Sequence, residues 1–243
     1  MKLTEEQIRR YSRHIILPEV GGRGQRRILE ASVVLGGLGA AGSVAAMYLA
    51  AAGVGRITLW DPAPVTEADL AAAVAYTVDK VGQNRAAAAA EVLRAINPDV
   101  TVQVAASEAE AGAGIEPGGV VLLSAGEWRP LHDRAIREGA RVVACGVHGA
   151  EGAFTVLQPG GPCLACLPPA VLQEAGLWPE EPENPPLAPV AGVVGLGAAT
   201  EVIKLILGVG VPLAGRLLRY EGWSASFRDQ SLAVSGGCPV CGA

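Results

Sequence analysis

Two short cysteine pairs carry the sharpest chemical signal in this sequence: Cys163-Leu164-Ala165-Cys166 and Cys238-Pro239-Val240-Cys241. Thiols at this spacing can be turned inward by one tight turn, and two such turns supply the four ligands of one tetrahedral zinc ion. Disulfides would use the same residues, but two pairs of this kind in a reducing compartment are more often metal ligands. Four thiolates leave no open coordination position, so the expected ion is a structural clip tying the end of the chain to its middle, not a catalyst. The fifth cysteine, Cys145, stands in the apolar stretch Val143-Ala144-Cys145-Gly146 and reads as a small buried hydrophobe rather than a nucleophile.

A second constellation is Gly37-Leu38-Gly39-Ala40-Ala41-Gly42, a G-x-G-x-x-G turn with an acidic residue, Asp61, at the end of the next β-rich run. Each part has a physical task. Gly37 permits the tight turn, Gly39 lets a phosphate approach the backbone, Gly42 allows close helix packing, and Asp61 can accept hydrogen bonds from a ribose. Glycines kept only for packing, or a dinucleotide such as NAD in an oxidoreductase, would leave the same pattern, and the glycines alone do not separate these readings.

The elements that must position these residues follow from periodicity. Residues 32–35 form a short apolar run that ends in glycines, 43–52 a helical pattern stopped by Gly53, and 56–60 a β-rich run ending at Asp61. Residues 84–96 form an alanine-rich helix that stops at Asn97-Pro98. The order repeats with strands at 100–104 and 120–123, a helix at 130–138 and a strand at 141–144. Alternation of this kind predicts parallel β-α-β units: a Rossmann-like, doubly wound α/β sheet with helices on both faces and a ligand site at the carboxyl ends of its strands. Beyond Cys145 the pattern changes to an antiparallel extension, with a strand at 153–157, a helix at 191–207 and short strands at 216–220 and 225–228. The expected division is one domain over residues 1–243. It comprises an N-terminal helical arm (1–30, with a helix at 4–13 capped by Thr4), a nucleotide-binding core (31–145) and a zinc-containing C-terminal part (146–243) with a crossover loop at about 170–190.

Composition excludes several classes. Half the residues are hydrophobic, enough for a large core in 243 residues, while aromatics are only 4% and glycines number 32, so helices and sheet must approach closely on small side chains. A net charge of −5 without basic runs argues against a nucleic-acid partner. The polar, charged first residues lack a secretory pattern, which points to the cytoplasm. The uncharged span 31–55 is long enough to cross a bilayer, but its glycines suit a strand, loop and helix better, so no membrane association is expected.

Several further motifs occur in one order along nearly the whole chain: Arg10-Tyr11-Ser12-Arg13, Gly21-Gly22-Arg23-Gly24-Gln25, the glycine turn, Tyr48-Leu49-Ala50-Ala51-Ala52-Gly53-Val54-Gly55, Asp61, Ile96-Asn97-Pro98, both cysteine pairs and Glu201-Val202-Ile203-Lys204. This set resembles the ThiF/MoeB/HesA family, E1-like adenylating enzymes related to ubiquitin-activating enzymes. The resemblance implies ATP and magnesium used to adenylate the C-terminal glycine of a ubiquitin-like sulfur-carrier protein ending in Gly-Gly, in a homodimer. It places Gly37, Gly39, Gly42, Ser43 and Asp61 at nucleotide-binding positions, and Arg13 at that of an arginine reaching into the partner subunit's site.

The resemblance breaks at the charged positions. Where the family carries Asn-Leu-x-Arg-Gln, this chain has Asp69-Leu70-Ala71-Ala72-Ala73; a family lysine falls at Arg85; and the family's Thr-Asp-Asn aligns near Ser124-Ala125-Gly126-Glu127, leaving Glu127 to serve magnesium. The loop cysteine that some members use for sulfur or thioester chemistry has no counterpart between Cys166 and Cys238. The implied protein is an E1 scaffold that binds a carrier protein or peptide C-terminus, or pairs with an active relative, with adenylation weakened or lost. The alternatives are an active adenylyltransferase using Arg13, Arg85 and Glu127, and an NAD-binding oxidoreductase. His14 stands at a family glutamine and reads equally as a site or a surface residue, while His132, His148 and the Glu201/Lys204 helical pair read as structural.

Overall fold

The computed structural model describes residues 2–124, 129–177 and 185–242. Among the described residues the sheet has eight strands in the order β3-β2-β1-β4-β5-β6-β7-β8. β1 (Ser32–Gly36), β2 (Arg56–Trp60), β3 (Thr101–Val104), β4 (Val120–Ser124) and β5 (Arg141–His148) are parallel, and β6 (Glu151–Leu157), β7 (Arg216–Glu221) and β8 (Ser226–Ser231) continue the sheet antiparallel. The order reverses between β1 and β4, and the glycine turn leaves β1 at that switch, where the topology opens a crevice.

The central strands carry unbroken apolar runs, Val33 to Leu35 in β1 and Val120 to Leu123 in β4, because both faces are covered. Val33 and Leu35 pack into a core shared with α4 (Ala40–Ala52), α5 (Arg85–Ile96) and α9 (Ala188–Leu207). Val34, between them, belongs to the opposite core with α6 (Glu108–Gly112) and α7 (Arg129–Arg137). Small residues let these layers close. A Cβ on Gly195 of α9 would lie 2.4 Å from the Ala41 carbonyl oxygen of α4, so only glycine fits that crossing. The uncharged span 31–55 is indeed strand, loop and helix. α9 is long and apolar enough to cross a bilayer by length and composition, but it packs between α4 and strands β5 and β6.

The arm differs from the expected single helix. Tyr11 separates α1 (Glu5–Arg10) from α2 (Ser12–Ile15), and α3 (Gly21–Glu30) leads into the sheet. Tyr11 turns inward, 2% exposed, with its ring over Gly53, where a Cβ would meet it at 2.7 Å. Its hydroxyl donates to Asp99 Oδ2 at 3.0 Å and accepts from Asn97 Nδ2 at 2.9 Å, while the same amide donates to the Ala50 carbonyl at 2.7 Å. Three separated sequence motifs thus meet at one joint between the arm, the end of α4 and the end of α5. Within the expected crossover, α8 (Pro169–Glu174) precedes residues 178–184, which are outside the described set, and α9 begins at Ala188.

Candidate functional site

The glycine turn is held from two sides. Gly37 takes φ +86°, a left-handed conformation that favours glycine, and Gly39 caps α4 with extended backbone. A Cβ at Gly42 would stand 2.1 Å from the Gly37 oxygen and 2.8 Å from Ser124 Cβ, so its lack of side chain sets the turn's curvature and its distance from β4. Leu38, fully buried between them, donates its N–H to Asp61 Oδ2 at 2.7 Å and accepts at its carbonyl from the Tyr76 hydroxyl at 2.6 Å. Asp61 Oδ1 accepts from the Ala63 N–H at 2.9 Å. Burial raises the Asp61 carboxyl above its ordinary value, opposed by those two N–H groups and by Arg85. Sequence reasoning missed Tyr76; its signal is a lone aromatic in the alanine-rich run 71–76.

Arg85 opens α5 beside this turn, and its charge is already engaged. Its Nη2 and Nε donate to Asp69 Oδ1 and Oδ2 at 2.7 and 3.2 Å, and Nη1 lies 3.9 Å from Asp61 Oδ2. The expected phosphate cation is therefore a fork-to-fork ion pair at 14% and 10% side-chain exposure. Ser43 lies in α4, fully buried, its hydroxyl donating to the Ala40 carbonyl at 3.2 Å. Arg13 is exposed on α2 and has no hydrogen-bond or ion-pair partner among the described residues. Glu127 lies outside the described residues. His14 faces Gln25, Nδ1 to Oε1 at 3.3 Å, and Cys145 is fully buried beside Ser124, its thiol pushed up to about 12 by burial.

The four paired cysteines converge as their spacing predicts. Their sulfurs all lie within 4.8 Å of one another, with Cys163 Sγ 3.8 Å from Cys166 and 3.7 Å from Cys238, and Cys166 Sγ 3.5 Å from Cys241. Those separations are far beyond a disulfide bond of about 2.05 Å. They match the roughly 3.8 Å edge of a tetrahedron with ~2.3 Å metal–sulfur bonds, so the residues present fit one metal ion. Backbone N–H groups of Cys241 and Val240 favour the Cys238 thiolate, holding its thiol down to about 6. His132 is fully buried in α7 and accepts the Leu164 N–H at Nε2 (3.0 Å) while its Nδ1 meets Asp133 at 2.8 Å. The sequence placed it as structural; the fold makes it the brace of the first cysteine turn.

A cavity of about 540 Å³ opens at the other, amino-terminal ends of the strands, lined by Arg27, Arg56 and Arg141. Arg27 and Arg141 donate there to the Leu207 and Leu205 carbonyls, capping the last turn of α9.

The ThiF family model matches residues 11–240. A SAMP-activating enzyme E1 from Haloferax volcanii is 37% identical over all of this chain and 92% of its own length, and a sulfur carrier protein adenylyltransferase from Thermus thermophilus is 35% identical over all of this chain and 93% of its own. The chain belongs to the ThiF family. Its scaffold is that of the MoeB-like E1 adenylyltransferases. Among solved structures, E. coli MccB with ATP superposes at a TM-score of 0.78 with 23% identity, covering 96% of this chain and 73% of that one, a likeness of fold. The eight-stranded mixed sheet and the four-cysteine cluster of this ThiF-family chain are those its sequence implied.

Proposed function

We propose that this chain is an E1-type scaffold that binds a nucleotide at its glycine turn and the C-terminal tail of a ubiquitin-like sulfur carrier or peptide beside it, with adenylation weakened or lost. The single observation that carries this reading is the state of Arg85. Adenylation needs cations free to stabilise charge developing on phosphoryl oxygens, and losing one such group typically costs on the order of a hundredfold in rate. Here Arg85 gives its fork to Asp69 and faces Asp61, and Ala72 supplies no second charge. Gly37, Gly39, Gly42 and Asp61 shape the turn, and Ser43 lies behind it. The test is pyrophosphate exchange from ATP and magnesium with a carrier ending in Gly-Gly, beside direct carrier binding. Binding with no exchange supports the scaffold; exchange refutes it.

The second reading, an active adenylyltransferase, draws on full-length identity of 37% and 35% to activating enzymes. It requires Arg85 to leave Asp69 when ATP arrives, Glu127 to hold magnesium, and Arg13 to reach a partner subunit's site in a homodimer. The exposure of Arg13 on the arm suits that last role.

We propose zinc as the ion of Cys163, Cys166, Cys238 and Cys241. It would supply a fixed tetrahedral link between the turn after β6 and the end of the chain; the cysteines would hold it, and His132 would orient the Cys163 turn through Leu164. Metal analysis of the purified protein checks this at one zinc per chain.

A further inference from the structure

We propose that Asp69 sets the ligand class of the glycine-turn site, making it a site for a nucleoside or a nucleoside with little phosphate charge and excluding a triphosphate tail; this rests on the nucleotide-site reading above. Among the described residues, three charged groups meet beside the turn. Asp61 and Asp69 bracket Arg85, so two carboxylates face one guanidinium and the local balance is negative when all are ionised. A polyanion entering there meets like charge at low exposure, where screening is weak.

The pair is also difficult to open. Asp69 is fixed before it meets Arg85: its Oδ2 accepts from the Thr66 N–H at 2.7 Å and the Thr66 hydroxyl at 2.9 Å, and its own N–H donates back to that hydroxyl at 3.3 Å. The loop carrying Asp69 is stapled to the segment entering α5 by backbone bonds, Val65 N–H to Gln83 O and Gly82 N–H to Val65 O at 2.8 Å each, and Arg85 N–H to Ala63 O at 3.0 Å. Asn84 Nδ2 adds a bond to the Asp61 carbonyl at 2.7 Å. Recruiting Arg85 to a phosphate would break both arms of a bidentate pair on a braced loop and leave Asp69 buried without its counter-charge. A neutral ribose asks for none of this, because Asp61 keeps lone pairs beyond those used by Leu38 and Ala63.

The contact chain runs without a gap from turn to selector: Leu38 in the turn, Asp61 on its N–H, Arg85 beside Asp61, and Asp69 on Arg85. Tyr76 closes the other side, its hydroxyl on the Leu38 carbonyl and 3.4 Å from the Arg85 carbonyl. Changing Asp69 therefore alters the charge seen by a phosphate while the turn, held by Asp61 and Tyr76, stays in place.

Calorimetry with adenosine, AMP and ATP, each with magnesium, on the wild-type chain and on Asp69→Asn tests this. The wild type binds adenosine at least as tightly as AMP and both more tightly than ATP. Asp69→Asn, which keeps an oxygen for Thr66, gains on the order of tenfold or more in ATP affinity, with adenosine affinity unchanged. Adding Arg85→Gln to Asp69→Asn abolishes the gain, showing that it runs through the released guanidinium. The wild-type series stands alone if the variant melts early. Wild type that binds ATP more tightly than adenosine overturns the proposal while leaving the nucleotide site intact. Failure to bind any of the three overturns both.

Discussion

At the glycine turn both Asp61 carboxylate oxygens accept from backbone N–H groups and Arg85 gives its fork to Asp69, whereas at the cysteine cluster four sulfurs meet one another through weak S–H contacts. The charged side chains of the first region are already paired as folded. The second gains most from an added ion, because four thiols packed within 4.8 Å cannot ionise together without a cation among them. The lesson is that two sites in one fold differ in kind: a phosphate at the turn must displace the Arg85–Asp69 pair already made, while a metal in the cluster adds bonds to sulfurs that meet one another only weakly.

The largest expected effect tests the cluster half of that contrast. Stripping the metal with a strong chelator, or Cys163→Ser with Cys238→Ser, is expected to destabilise the chain by on the order of 5 kcal/mol, read as a fall of many degrees in melting temperature. Chelation that leaves the melt unmoved would break the contrast. Next is Gly42→Ala, which drives a methyl group into the Gly37 carbonyl 2.1 Å away and against Ser124. A cost of about 3 kcal/mol and a displaced turn are expected, with nucleotide binding lost; a variant as stable as wild type would mean the turn is looser than its contacts imply.

His132→Ala sharpens the comparison from the brace. It removes the buried acceptor of the Leu164 N–H and opens space, costing about 2–3 kcal/mol, and metal affinity should fall with it because the Cys163 turn loses its support. Unchanged metal affinity at reduced stability would assign His132 to the core alone.

The smallest effect is alkaline and belongs to the arm that docks on the parallel half. Burial raises the Tyr11 hydroxyl from 10.0 to about 12, with the bond from Asn97 opposing and Asp99 reinforcing the shift. A folded value above the unfolded one means the contribution is whole below pH 10 and is lost as pH climbs from 10 toward 12, at about 1.4 kcal/mol per pH unit. Tyr11→Phe should therefore flatten the melting temperature against pH across that window, and an unchanged slope would place the alkaline loss elsewhere, Tyr76 first.

Much of this was legible from the chain. β2 begins and ends at the residues its apolar run predicts, and Asn97-Pro98 stops α5 because a residue before proline avoids helical backbone. α4 starts three residues before the expected 43, since Gly39 caps it and Ala40 to Gly42 can follow the helix without side-chain conflict. The arm was harder to read: its charge-alternating pattern fits one helix, yet Tyr11 breaks it to reach a partner 88 residues away. Arg85 was visible as a cation and Asp69 as a departure, but their pairing across 16 residues of loop is not written in either residue type.

By itself the sequence determined the alternation of strands and helices, the glycine turn and the two cysteine pairs, because backbone permissiveness, apolar period and pair spacing are local properties of neighbouring residues. Only the tertiary structure decided that Asp69 meets Arg85, that Tyr76 and Asp61 grip Leu38 from opposite sides, and that His132 carries the Cys163 turn. Those depend on which distant segments the packed sheet brings within a hydrogen bond of one another, and on the low dielectric that makes such meetings strong.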